Sequence, residues 1–79
     1  MRLLPAHVRA ARALLKISQA ELARLAGVSH NTVLNFENET GEPSEDTRLR
    51  IMTALEQRGI QFLNSGQPGV RLVAKTEMT

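Results

Sequence analysis

With 79 residues, 8.7 kDa and no cysteine, the chain is a single domain near the lower size limit for a self-sufficient core, with no disulfide or thiolate metal site to support it; such small cores commonly gain stability by oligomerising. Two Phe without Trp or Tyr argue against an aromatic platform for single-stranded nucleic acid, no apolar run is long enough for a membrane span, and Met1 to Pro5 lacks the pattern of a signal peptide, so a soluble cytoplasmic protein without membrane contact is expected. Net charge is only +2 but uneven: residues 1–36 carry five basic and one acidic side chain, residues 37–46 five acidic and none basic, and residues 47–79 five basic and two acidic. This order suits a polyanion-facing surface beside an acidic loop that points away from it, and an ordinary mixed surface equally well.

Helix 1 is predicted from Pro5 to Lys16, with proline suited to the first turn. Leu4, Val8, Ala11 and Leu15 supply its apolar stripe, and Arg9, Arg12 and Lys16 are its basic members. Ser18 is the expected N-cap of helix 2, with Glu21 completing a capping box. Leu22, Ala23 and Ala26 face inward, and Gly27 ends the helix where positive φ is wanted. Ser29 caps helix 3, His30–Asn38. At about 100° per residue, Thr32, Val33, Phe36 and Glu37 share one side, while His30, Asn31, Leu34, Asn35 and Asn38 share the other. Glu39 to Pro43 reads as a loop.

Ser44 caps helix 4, Glu45 and Asp46 suit its dipole, and Gly59 stops it after Arg58. Leu49, Ile51, Met52 and Leu55 span more than one narrow stripe, so this helix is expected to pack on two sides. The period then changes. Residues 60–63 and 70–73 read as strands joined by Asn64 to Gly69, a hairpin that must pack on helix 4 or pair with another chain. Ile60, Phe62, Val70 and Leu72 alternate onto one face, and Leu63 and Val73 leave apolar area on the other. These six residues are the expected dimer contacts. The expected organisation is residues 1–58 as the helical domain, 59–73 as the hairpin and 74–79 as a flexible tail.

Arg9-Ala-Ala-Arg12, Ser18-Gln-Ala-Glu-Leu-Ala23, Gly27-Val-Ser29, Val33, Phe36-Glu37 and Pro43-Ser44 together carry a resemblance to the Cro/repressor-type helix-turn-helix family, also called the XRE family, over residues 9–58. The resemblance implies a mainly α fold, a four-helix repressor-like DNA-binding domain; the C-terminal β-hairpin looks like an extension found in short bacterial regulators of this type. It also implies roles. Gln19 and Asn38 look like phosphate-contacting positions, Ser29 and Thr32 like helix-start positions close to the DNA backbone, and His30, Asn31 and Asn35 like base-reading positions. Arg12 and Glu37 match a buried ion pair tying helix 1 to the end of helix 3.

Side-chain chemistry suits these roles. Asn bonds adenine N6 and N7 in a bidentate pair, and the outward Leu34 would meet a thymine methyl. Arg2, Arg9, Lys16 and Arg24 are the remaining candidates for phosphate contact. Helix 3 presents no Arg or Lys outward, and the following loop carries Glu39, Glu42, Glu45 and Asp46 where the family is often basic. A monomer should therefore bind DNA poorly, and a two-fold dimer on double-stranded DNA is expected to recover affinity. The leading reading is a dimeric repressor or controller that binds an inverted-repeat operator. A protein-interaction module on the same fold, an antitoxin or antiactivator with a second protein partner, is the alternative. No carboxylate pair, nucleophile set or phosphate-cradling loop supports an enzyme, His7 lacks companions for a metal, and no cofactor is expected.

Overall fold

Helix α1 (Pro5–Leu15) begins at a proline and ends at Lys16, whose left-handed backbone (φ 60°) returns its N–H toward the helix's last carbonyls. It is the first element of a computed structural model that describes residues 2–63 and 69–73. Then follow α2 (Gln19–Ala26), α3 (His30–Glu37), α4 (Glu45–Gln57) and an antiparallel pair, β1 (Ile60–Leu63) and β2 (Gly69–Leu72). Serines cap three helices: Ser18, Ser29 and Ser44 each accept from the backbone N–H three residues on.

One core joins the four helices and β1: Leu3, Val8, Ala11, Leu22, Ala23, Ala26, Val33, Phe36, Ile51, Ala54, Leu55 and Ile60, with Val70 of β2 partly buried against it. The α1 stripe does not extend back to Leu4, which is 36% exposed while Leu3 is 1% exposed. Leu4 is the extended N-cap residue, and in extended backbone neighbouring side chains point to opposite sides, so helical spacing stops at Pro5. The cap of α1 also involves a residue the pattern does not single out. His7 is buried, and its Nδ1 accepts the Leu4 N–H at 2.9 Å.

Only half of the expected Ser18–Glu21 box forms. Ser18 Oγ accepts the Glu21 N–H at 3.0 Å, while the Glu21 carboxylate takes the charged Arg24 donor one turn on. On α4, Leu49 is 62% exposed, and the inward position beside it belongs to Arg48. That guanidinium lies 5.3 Å from the Phe36 ring centroid and donates to the Leu3 carbonyl (2.8 Å) and the Glu42 carboxylate (2.6 Å). A buried charge satisfied this fully can stand where an apolar side chain was expected. Ile51, Ala54 and Leu55 fill the rest of the buried face.

The hairpin packs on two helices, β2 against α1 and β1 against α4. Its register pairs Ile60 with Leu72 and Phe62 with Val70. Ile60, 2% exposed, belongs to the intrachain core and is unavailable as a dimer contact; Phe62 and Val70 are partly buried against that core. Leu63, Leu72 and Val73 are exposed. On the outer face a Gln61–Arg71 hydrogen bond of 2.6 Å stands between Leu63 and Val73, so the two do not make one apolar patch. Gly59 (φ +100°) lets the chain leave α4, and a Cβ there would lie 2.7 Å from the Val73 carbonyl oxygen. Of the expected connection over 64–69, Gly69 instead begins β2 and residues 64–68 lie outside the described residues, as does the expected tail over 74–79.

Candidate nucleic-acid interface

Helices α2 and α3 are joined by Gly27-Val28-Ser29, with Gly27 at φ +72° closing α2 and Ser29 opening α3. Ala23 is buried in α2, where a small side chain allows close helix approach; Val33 and Phe36 anchor α3 from its other side. This leaves His30, Asn31, Asn35 and Asn38 exposed along the outward face, with Leu34 partly buried among them. The Asn35 Oδ1 accepts the Thr40 hydroxyl at 3.2 Å. At the start of α3 the Ser29 and Thr32 hydroxyls lie 2.8 Å apart, and Ser29 Oγ also accepts the Thr32 N–H.

Behind this face lies a buried ion pair. Glu37, 3% exposed, accepts from Arg12 twice, Oε2 from Nε at 2.7 Å and Oε1 from Nη2 at 2.8 Å. Arg12 also donates to the Ile17 carbonyl, tying the α1–α2 link to the same point. Burial by itself would raise the Glu37 carboxyl. Hydrogen bonds from Arg12 and Gln19, with the charges of Arg12 and Arg9, outweigh it and hold the group below its ordinary value. The Arg12 guanidinium is correspondingly raised by its bond to Glu37.

The remaining site candidates are spread around this centre. Gln19 Nε2 donates to Glu37 Oε1 at 3.0 Å, and its Oε1 lies 3.4 Å from His30 Nε2, so Gln19 connects the ion pair to the outward face. Arg9 donates to the Glu37 carbonyl at the C-terminal end of α3, where a cation suits the helix dipole. Arg24 pairs with Glu21, and Lys16 is exposed at the end of α1. In the acidic segment after α3, Glu42 of the loop is held by Arg2 and Arg48, and Asp46 in the first turn of α4 by Arg50, so part of that negative charge is neutralised locally.

Sequence reasoning missed Arg48 and the inward bonds of Arg9 and Gln19, which depend on long-range contacts, and His7, whose cap bond is local but is made by a residue type the capping pattern does not single out. A signal for Arg48 exists in hindsight, since it continues the spacing of Ile51 and Leu55 toward the N-terminus of α4. Among the described residues no three His, Asp or Glu side chains group as metal ligands, and no helix is long and apolar enough to cross a membrane.

The family model described as helix-turn-helix, HTH_3, matches residues 8–62, well over half of the chain, from α1 into β1. A search of curated proteins gave no significant match. The matched span contains the Gly27 turn, the capped α3 and the Arg12–Glu37 pair, and with it the chain belongs to the XRE-type helix-turn-helix family of DNA-binding regulators.

Proposed function

We propose that the chain is a sequence-specific transcriptional regulator that binds double-stranded DNA as a homodimer at an inverted-repeat operator, acting as a repressor or controller of a neighbouring operon. The observation that carries this reading is the outward face of α3: His30, Asn31 and Asn35 are exposed on a helix fixed from behind by Val33, Phe36 and Glu37. In the major groove, His30, Asn31, Leu34 and Asn35 would meet base edges. Arg9, Lys16, Gln19, Arg24, Ser29, Thr32 and Asn38 would hold the backbone. Several of these already have partners within the chain, so each half-site gains few net phosphate contacts. Doubling the site compensates.

Exposed Leu63, Leu72 and Val73, with the free strand edges of a two-stranded sheet, are the part of the hairpin that a second copy would cover. The test is a nuclease footprint on DNA upstream of the coding region. Two protected half-sites related by a dyad, with centres about 34–36 Å apart, are expected. A single protected site without symmetry would overturn the dimer, and no protection would overturn the operator. Leu34 favours a second reading, a protein-binding role for the same face, because it is a large apolar side chain on the outward side. Leu34→Ala abolishing capture of a partner protein while leaving the footprint intact would put that reading first.

A further inference from the structure

We propose that Glu37, acting through the amide of Gln19, fixes the His30 ring in its Nε2–H form, so that the polar atom His30 offers a base is the bare acceptor Nδ1 and the base selected there is one bearing an exocyclic amine, adenine or cytosine. The proposal rests on the reading of α3 as the base-reading helix and adds a polarity to one of its positions. It starts in the core. Glu37 is buried and bound by Arg12 through both oxygens, at 2.7 and 2.8 Å. An ionised carboxylate has only lone pairs to offer, so a third partner at Oε1 must be a donor. Gln19 stands 3.0 Å from that oxygen, which orients its NH2 group toward Glu37. The opposite end of the amide is then the carbonyl.

That carbonyl oxygen lies 3.4 Å from His30 Nε2. It accepts and cannot donate, so a bond forms only if Nε2 carries the hydrogen. In the neutral ring the proton count is then complete and Nδ1 keeps a lone pair. The placement follows from helix geometry, because positions 30 and 37, seven residues or about two turns apart, lie within about 20° of each other where the outward and inward sides of α3 meet. Gln19, at the first position of α2, spans the gap between them. A contact of 3.4 Å is long for N–H···O, and DNA that displaces water from it strengthens the bias.

In the major groove, adenine N6 and cytosine N4 are donors, whereas guanine N7 and O6 and thymine O4 are acceptors. A ring held with Nδ1 bare pairs with the first two and sets lone pair against lone pair with the others. An uncoupled imidazole could present either polarity and would discriminate little. Gln19 is thus a positioning residue for His30, and Glu37 is the origin of the polarity.

Two measurements test this. The first needs no DNA: long-range 1H–15N correlation spectra of the full chain near pH 8 report which ring nitrogen of His30 carries the proton. The Nε2–H form is expected in larger proportion in the wild type than in Gln19→Met, whose ring relaxes toward the mixture of a solvated imidazole. An Nδ1–H ring in the wild type, or identical mixtures in both chains, overturns the proposal, and the wild-type spectrum decides even if the variant folds poorly. The second is selection from a random duplex library. The wild type should enrich adenine or cytosine about two- to tenfold at one position of each half-site, and Gln19→Met and His30→Ala should lose that preference. A wild-type preference for guanine or thymine there, or one that survives Gln19→Met, overturns the polarity while leaving base reading by α3 intact. If the wild type enriches no duplex, base reading fails and base selection by His30 fails with it; the tautomer spectrum distinguishes that failure from a failure of the polarity.

Discussion

Replacing Arg12 with Met keeps the length and much of the packing of the side chain but removes the charge facing Glu37. In the wild type the Glu37 carboxylate is 3% exposed and has three donors, two from Arg12 and one from Gln19 Nε2. The variant leaves one. A buried charge that loses its partner costs about 3–5 kcal/mol. The Arg12 bond to the Ile17 carbonyl, 3.0 Å, goes with it and contributes about 1 kcal/mol. At about 0.05–0.15 kcal/mol per residue, a chain of this size has roughly 4–12 kcal/mol in all, so Arg12→Met removes about a third or more of the stability. Urea denaturation followed by far-ultraviolet circular dichroism reads this directly. With a slope of about 1–3 kcal/mol per molar urea, the midpoint should fall by at least about 1 M.

The pH dependence supplies a second arm. The folded Glu37 carboxyl lies below the ordinary value of 4.5, so its stabilisation is in place above that pH and is lost as pH falls through the depressed folded value. Without Arg12, burial dominates and raises the carboxyl, so the variant recovers stability as Glu37 takes up a proton. The difference between the two chains should therefore narrow from pH 7 toward pH 4. A loss below about 1 kcal/mol at pH 7, or a difference that stays constant with pH, would refute the ion pair as the strut behind α3.

Gly59→Ala should destabilise the chain and weaken the hairpin's hold on α1 and α4, because the added Cβ meets the Val73 carbonyl at 2.7 Å and the backbone sits at φ +100°. Gly41→Ala, also at positive φ but with open space around it, should cost less in the same thermal melts. His7 is held below the ordinary histidine value of 6.5 by burial, so the unfolded chain takes up a proton first and stability should fall as pH drops below that value. His7→Phe should remove that slope in melts between pH 7.5 and 5 while preserving a ring against Phe62, whose centroid lies 5.7 Å away. Glu39→Lys should steepen the log–log salt dependence of DNA binding by about 0.9 if the loop after α3 approaches a phosphate, and leave the slope unchanged if it does not.

The helices were legible because each carries local signals that act without the rest of the chain. Ser18, Ser29 and Ser44 cap through bonds spanning three residues, and Gly27 turns the chain by its own backbone freedom. The inward residues of α2 and α3 follow from a period of 3.6. Contacts across the fold were less legible. Leu3 replaces Leu4 because the arm before Pro5 is extended, and Leu49 gives way to Arg48 because Leu3, Glu42 and Phe36 converge on one guanidinium. The hairpin was readable as two alternating segments, yet its alternation could not say that Ile60 would be spent on this chain's own core. At the candidate interface, the outward set on α3 followed from helical geometry. The chain of bonds from Arg12 through Glu37 and Gln19 to His30 joins α1, α2 and α3, so no single segment encodes it.

The most direct measurement is a titration of one selected duplex with the wild-type chain and with the Asn31→Ala, Asn35→Ala double variant at fixed salt. Both residues are exposed and outside the core, so the variant should keep the wild-type melting transition. If α3 reads bases, affinity for the selected duplex should fall by at least about tenfold for each Asn removed from a bidentate adenine contact, while binding to random DNA changes little. An unchanged affinity for the selected duplex, with the fold intact, would contradict the assignment of this face to DNA.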